Sequence, residues 1–229
     1  MKPTYLSLEP LIPWREAERP IRWEERFGRE APLELEIGFG NGTALIERAT
    51  ANPERNFVGV ELFWESIKRA LRRTAQEEVP NIRLLLGNAG TILDHLFAPR
   101  SLSRVTSLFP CPWPKERHLR HRLFSHGFLR TLNGLLSSGG EVQVVTDFEA
   151  YLDWIRHEAE GTGFALEWEE VPARYGTKYE RKWSELGQTR FFEVRLTKKD
   201  EIALPPKEEI DLEIHKVGRF DPELSLIHI

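Results

Sequence analysis

The sequence predicts an α/β fold, a doubly wound and mostly parallel sheet with helices on both faces. Three observations carry this. Short β-branched runs alternate with stretches of helical periodicity. The first run, Pro32-Leu-Glu-Leu-Glu-Ile-Gly-Phe-Gly-Asn-Gly42, ends in glycines at 38, 40 and 42 and passes through Thr43 into Ala44-Leu-Ile-Glu-Arg-Ala49, so it reads strand, tight loop, helix. The chain has 229 residues, 40% hydrophobic and 30% charged, enough for one domain with a developed core.

Residues 1–31 hold four prolines with Trp14 and Trp23, which reads as an irregular arm whose aromatics pack onto the domain. Gly38 and Gly40 give a backbone that takes positive φ and lets a ligand approach. Asn56-Phe-Val-Gly-Val-Glu61 is a second strand, and Glu61 at its end stands about 20 residues beyond the glycines, where an acid in such folds receives ribose hydroxyls. A helix over Trp64–Glu77 turns Ile67, Ala70, Leu71 and Thr74 inward. Asn81–Gly87 is the third strand; Asn88 and Ala89 after it either meet an adenine edge or, for Asn88, cap a helix near 91–97. Arg104–Phe109 is the fourth strand and delivers the chain to Pro110-Cys-Pro-Trp-Pro-Lys115, a loop stiffened by three prolines. A helix over about 120–136, a turn at 137–140 and a fifth strand, Glu141–Thr146, lead to Asp147. After a helix near 149–161, Phe164–Trp168 and Arg190–Leu196 make an antiparallel hairpin that brings the sheet to seven strands; the polar, basic and aromatic Tyr175–Trp183 between them suits a substrate loop.

The net charge of −4 is uneven. Residues 200–229 carry net −5, which leaves the remainder at +1, and residues 100–130 hold seven Lys/Arg against Glu116 alone, a local +6 suited to a phosphate backbone or to a solvated helix face. The expected organisation is an arm (1–31), one domain (32–199) and an acidic tail (200–229). No apolar run is long enough to span a bilayer and no secretory leader is evident, so a cytoplasmic protein without membrane contact is expected. The single cysteine rules out an internal disulfide and a multi-cysteine zinc site, and no metal is expected. Monomer and homodimer stay open.

The glycine loop preceded by Glu36 resembles the first motif of S-adenosylmethionine-dependent methyltransferases. Together with Val58-Gly-Val-Glu61, Asn88-Ala89, Phe109-Pro-Cys-Pro-Trp-Pro-Lys115, Arg117-His118, Thr146-Asp147 and Thr177-Lys-Tyr-Glu180, it makes Leu33–Leu196 similar to the tRNA (guanine-N7-)-methyltransferase family. The proline–tryptophan–lysine loop is the specific part. The resemblance implies a Rossmann-like seven-stranded methyltransferase sheet, S-adenosylmethionine as cofactor, tRNA as partner, and methyl transfer to N7 of a guanosine in the variable loop. It implies that Glu36, Glu61 and Asn88, flanked by Gly38, Gly40, Ala89 and Cys111, contact the cofactor. It places Lys115, Asp147 and Thr177, Lys178, Tyr179 and Glu180 at the RNA substrate, and Arg117, Arg120 and Arg122 along its backbone. His118 either orients the base, holds a phosphate or is structural.

Two departures stand out: Cys111 where the family has Asp, and His121 where it has Arg. Guanine N7 needs no deprotonation, so the lost carboxylate removes charge stabilisation of roughly 2.7–4 kcal/mol, and Asp147 can stand in; a slower or compensated enzyme is expected. A Pro-Cys pair after the fourth strand also fits RNA cytosine-C5 methylation through a Cys111 thiolate whose pKa Lys115, Arg117 and His118 depress. A non-catalytic RNA-binding relative is the third reading.

Overall fold

The computed structural model describes residues 7–204. The start of the arm (1–6) and most of the acidic tail (205–229) lie outside the described residues. The elements run α1 (Trp23–Phe27), β1 (Leu33–Ile37), α2 (Thr43–Ala51), β2 (Asn56–Glu61), α3 (Trp64–Gln76), β3 (Ile82–Leu86), α4 (Ala89–Leu96), β4 (Leu102–Leu108), a 3₁₀ helix (Glu116–His121), α5 (His126–Leu135), β5 (Leu136–Thr146), α6 (Glu149–Glu158), β6 (Phe164–Val171), α7 (Lys178–Glu185) and β7 (Phe191–Lys198). The seven strands form one sheet in the order β3-β2-β1-β4-β5-β7-β6. β1 to β5 are parallel, and β7 inserts antiparallel between β5 and β6, which is the expected hairpin.

Strand alternation sorts side chains onto two faces. Leu35, Val58, Val60, Leu85, Val105, Val142, Val144 and Val194 pack with α4, α5 and α6, while Phe57, Ile82, Leu84 and Leu86 pack with α2 and α3. Beyond α2 the second face carries Arg104, Thr106, Glu141 and Gln143, which border a concavity of about 690 Å³. Its arginines already face carboxylates: Arg48 and Arg55 meet Glu34 at 2.5 and 2.8 Å, Arg104 pairs with Glu141 and Arg174 with Glu193. The sequence of the sheet is therefore charged where no helix covers it.

The arm is less irregular than expected. Ile12 N–H donates to the Leu84 carbonyl and Leu84 N–H to the Pro10 carbonyl, at 2.9 and 2.7 Å, which covers the edge of β3. Trp14 is fully buried with its indole N–H on the Leu86 carbonyl at 2.9 Å, and Trp23, in the short α1, stacks on Phe97 at 4.9 Å. At the other end, Asp200 and Ile202 are hydrogen-bonded to the Asn133 side chain, so the first residues of the expected tail are tied to α5.

The expected helix over 120–136 is corrected to two pieces. Arg122 is extended (φ −62, ψ 126), and the Ser125 hydroxyl accepts Phe128 N–H to start α5. The expected turn at 137–140 is an excursion within β5: pairing with β4 steps from Leu102–Leu136 to Arg104–Glu141. Among the described residues no helix is long and apolar enough to cross a membrane.

Trp14 ties the arm to β3 through packing and a buried donor. Trp14→Ala is expected to cost about 3–5 kcal/mol in urea unfolding, and Trp14→Phe about 1 kcal/mol; equal small losses would show that the arm is peripheral.

Candidate active site

The strand order reverses between β1 and β4, so their carboxyl ends diverge and leave a crevice. β1 enters it through Gly38 and Gly40, whose φ values of +73 and +59 suit glycine, and a Cβ at either would meet open space, so the backbone faces the crevice bare. The N–H of Gly38 donates to the Val60 carbonyl at 2.8 Å. From the end of β2, the buried Glu61 carboxylate accepts Gly40 N–H at 2.9 Å, Leu62 N–H at 2.7 Å and Phe63 N–H at 3.2 Å. One acid thus binds the glycine turn to the start of α3. Behind the turn, Glu36 is 2% exposed, with Arg48 at 3.4 Å; burial pushes its carboxyl up to about 7, the Arg48 charge opposes this and the Glu61 charge adds to it. Asn88 caps α4, its side-chain oxygen accepting Gly90 N–H at 3.0 Å, and Ala89 is buried beneath it. Of the two sequence readings of Asn88, the cap is what the geometry displays, with the amide left on the surface beside the crevice.

The third wall is the proline loop. Phe109 and Trp113 hold positive φ, +56 and +43, which bulky residues adopt only under constraint. Phe109 supports Tyr179 at 5.2 Å between ring centroids, and the Tyr179 hydroxyl donates to the Asp147 carboxylate at 3.2 Å. Burial raises the Asp147 pKa; its own backbone N–H and the Tyr179 hydroxyl oppose that shift. Gln188 donates to the Asp147 carbonyl at 3.2 Å from the far side. The Cys111 thiol, half-buried, is raised by desolvation despite a backbone hydrogen bond at Trp113. The expectation of a depressed thiol is therefore overturned: Lys115, Arg117 and His118 do not offset the loss of water around the sulfur, and the group stays a neutral thiol at pH 7.

Lys115, just before the 3₁₀ helix, and Arg117 and Arg120 on it are exposed, and the Trp113 ring lies 5.8 Å from His118 and 5.1 Å from His121. Partial desolvation and then the Arg117 and Lys115 charges lower the His118 pKa, and Arg117 Nε donates to His118 Nε2 at 3.2 Å, so this ring is a neutral acceptor packed on Trp113.

Three residues expected at the substrate have partners within the protein. Arg122, expected along the RNA backbone, is 7% exposed and turns two of its donors inward, to the carbonyls of Pro112 and Ala150 at 2.8 and 3.4 Å. Thr177 is the N-cap of α7, accepting Glu180 N–H at 3.0 Å, and the Glu180 carboxylate, buried, accepts the N–H groups of Arg174, Tyr175 and Gly176. Thr-Lys-Tyr-Glu has the spacing of a capping box, but Glu180 reaches past the N-cap to the N–H groups of 174–176 and so shapes the preceding loop, leaving Lys178 and the Tyr179 ring on the surface. The seven-charge basic stretch also shrinks, because Arg104 pairs with Glu141 and Arg100 with Glu201.

Sequence reasoning missed Glu193. On β7 it is 1% exposed; burial would raise its pKa, but hydrogen bonds from Tyr175, Arg174 and Arg195 prevail and hold it at about 2. It pins the loop that carries Tyr179. An acid at an inward position of Phe191-Phe-Glu-Val is the only signal the sequence offered.

Sheet order, bare glycine turn and the acid at the end of β2 define a class I S-adenosylmethionine-dependent methyltransferase. Solved structures share this fold: the 16S rRNA methyltransferase KamB superposes with a TM-score of 0.61 at 16% identity over 78% of this chain and 93% of its own. A phosphoethanolamine N-methyltransferase of Haemonchus contortus, solved with S-adenosyl-L-methionine, gives 0.53 at 17% identity over 77% and 51%. A family model described as putative methyltransferase matches residues 30–193. The tRNA (guanine-N(7)-)-methyltransferase of Chlorobium phaeobacteroides is 43% identical over 177 residues, 77% of this chain and 87% of that one. That of Thermus thermophilus is 39% identical over 206 residues, 88% and 66%. This chain belongs to the tRNA (guanine-N(7)-)-methyltransferase family.

Glu36 generates a pH prediction. Its folded pKa of about 7 lies above the ordinary 4.5, so the folded state holds the extra proton between these values. Its stability cost is absent below pH 4.5, grows as pH rises and is complete above about 7. From pH 5 to pH 8, Glu36→Gln should therefore gain on the order of 2–3 kcal/mol relative to the wild type in urea unfolding. A pH-independent gap would contradict the assignment.

Proposed function

We infer that the protein transfers the methyl group of S-adenosylmethionine to N7 of a guanosine in tRNA, the activity its relatives' names carry. The observation that supports this most is the Asp147 carboxylate, braced by Tyr179, at the sheet edge it shares with the Glu61–Gly40 contact. The residues present fit the cofactor: Gly38 and Gly40 offer a backbone with no Cβ in the way, Glu61 an acceptor pair and Asn88 a surface amide. Glu36, Ala89 and Cys111 complete the proposed wall. When bound, S-adenosylmethionine supplies an electrophilic methyl group on a sulfonium sulfur.

The protein's own task is alignment. Guanine N7 carries an exposed lone pair, so no side chain need remove a proton, and holding the base in line supplies much of the barrier reduction. Asp147 faces the guanine N1 and N2 hydrogens or the positive charge that develops on the ring, and its partly desolvated setting strengthens either contact. Tyr179 keeps that carboxylate in place and, being half-exposed, offers a ring face to the base. Lys115, Arg117 and Arg120 meet phosphates, and Lys178 extends that charge onto the facing loop. Cys111 is a passive neutral replacement, which leaves Asp147 as the carboxylate of the reaction centre.

The test is methyl transfer from labelled S-adenosylmethionine to unmodified tRNA with nucleoside analysis. 7-Methylguanosine is expected from wild type and from Cys111→Ser, with a loss of about 10²–10³ in rate for Asp147→Ala. 5-Methylcytosine that disappears in Cys111→Ser, or cofactor and RNA binding without product, would overturn the reading.

A further inference from the structure

Arg122 lies in the basic stretch yet its side chain is buried and its guanidinium turns inward. Nε donates to the Pro112 carbonyl at 2.8 Å and Nη1 to the Ala150 carbonyl at 3.4 Å. The group lies over the rings of Tyr151 and Trp154, 5.2 and 5.1 Å from their centroids. Those rings are themselves fixed to one residue, since Trp154 Nε1 donates to the Phe124 carbonyl at 3.0 Å and the Tyr151 hydroxyl accepts Phe124 N–H at 3.4 Å. Pro112 sits between Cys111 and the strained Trp113, three residues before the exposed Lys115; Ala150 is in the first turn of α6, just past Asp147.

We propose that Arg122 is a positioning residue that clamps the Pro110–Lys115 loop to the Asp147 segment and so sets the width of the substrate site. A loop entered through one bulky residue at positive φ, Phe109, and holding another, Trp113, needs an outside constraint, and a planar fork with two carbonyl acceptors supplies one that an ammonium cannot reproduce in full. The inference rests on the proposed function only for its catalytic consequence; the clamp itself is a statement about the loop.

Cys111, the only cysteine of the chain, adjoins Pro112 and reports on the loop directly. The experiment compares wild type, Arg122→Lys and Arg122→Met by labelling with a chromogenic disulfide reagent under native conditions, with thermal unfolding, and with kcat, KM for tRNA and the salt dependence of tRNA binding measured alongside. Losing the clamp should raise the Cys111 labelling rate roughly tenfold in Arg122→Met, with Arg122→Lys between. It should lower kcat by up to about 10²-fold while KM and the salt slope hold. Unchanged labelling in both variants overturns the clamp whatever the enzyme does. So does a defect confined to KM with a salt slope lower by about 1, the signature of a phosphate contact. If wild type yields no 7-methylguanosine, the functional reading fails, and the labelling rates still decide the clamp.

Discussion

The carboxylate of Glu61 holds the crevice in shape. Three backbone N–H groups, from Gly40, Leu62 and Phe63, converge on it, and they belong to two segments that the sheet by itself leaves unconnected at this edge. Charge-assisted bonds of this kind are roughly twice as strong as neutral ones, and here they are largely shielded from water. Their position follows from topology. Strand order reverses between β1 and β4, the crevice opens at that reversal, and β2 is the neighbour from which an acid reaches the β1 turn. Behind it Glu36 holds its proton to higher pH chiefly because it is buried, an effect the Arg48 charge opposes and the Glu61 charge adds to.

The opposite wall obeys a different logic. Between β4 and the 3₁₀ helix the backbone is strained at Phe109 and Trp113, and the side chains around it act as braces. Phe109 carries Tyr179, Tyr179 holds Asp147, Glu180 and Glu193 hold the loop from which Tyr179 projects, and Arg122 ties Pro112 to α6. Several polar residues near the crevice thus act by shaping the loops that present the few surface groups, Lys115, Arg117, Arg120, Lys178 and Tyr179. The substitution at 111 fits this division. Burial raises the Cys111 thiol, and on the proposed function Asp147 is the carboxylate that acts there.

The fold was legible because its signals are local and periodic. Val58 and Val60 alternate with Phe57 so that β2 is apolar on both faces, and the glycines at 38 and 40 mark a turn whose backbone takes positive φ. The acids at strand ends, Glu61 and Asp147, were legible for the same reason. Sequence could not tell which charges remain available. Arg122 looks like its neighbours Arg117 and Arg120 until the carbonyl 28 residues away is in place, and Glu180 reads as a substrate carboxylate until the turn at 174–176 folds back onto it. The helix break at 122–125 was missed because Ser125 is a cap only once the chain before it is extended. Glu193 escaped because a buried acid is recognised by its partners, and two of the three, Arg174 and Tyr175, lie on a loop 18 or 19 residues away.

The most direct test of this account is a calorimetric titration of S-adenosylmethionine into the wild type and Glu61→Gln, with thermal unfolding of both as a control for the fold. If the Glu61 carboxylate organises the cofactor crevice, the wild type binds and the variant, still folded, binds roughly tenfold or more weakly. Equal affinities in two folded proteins would contradict it and place the cofactor elsewhere.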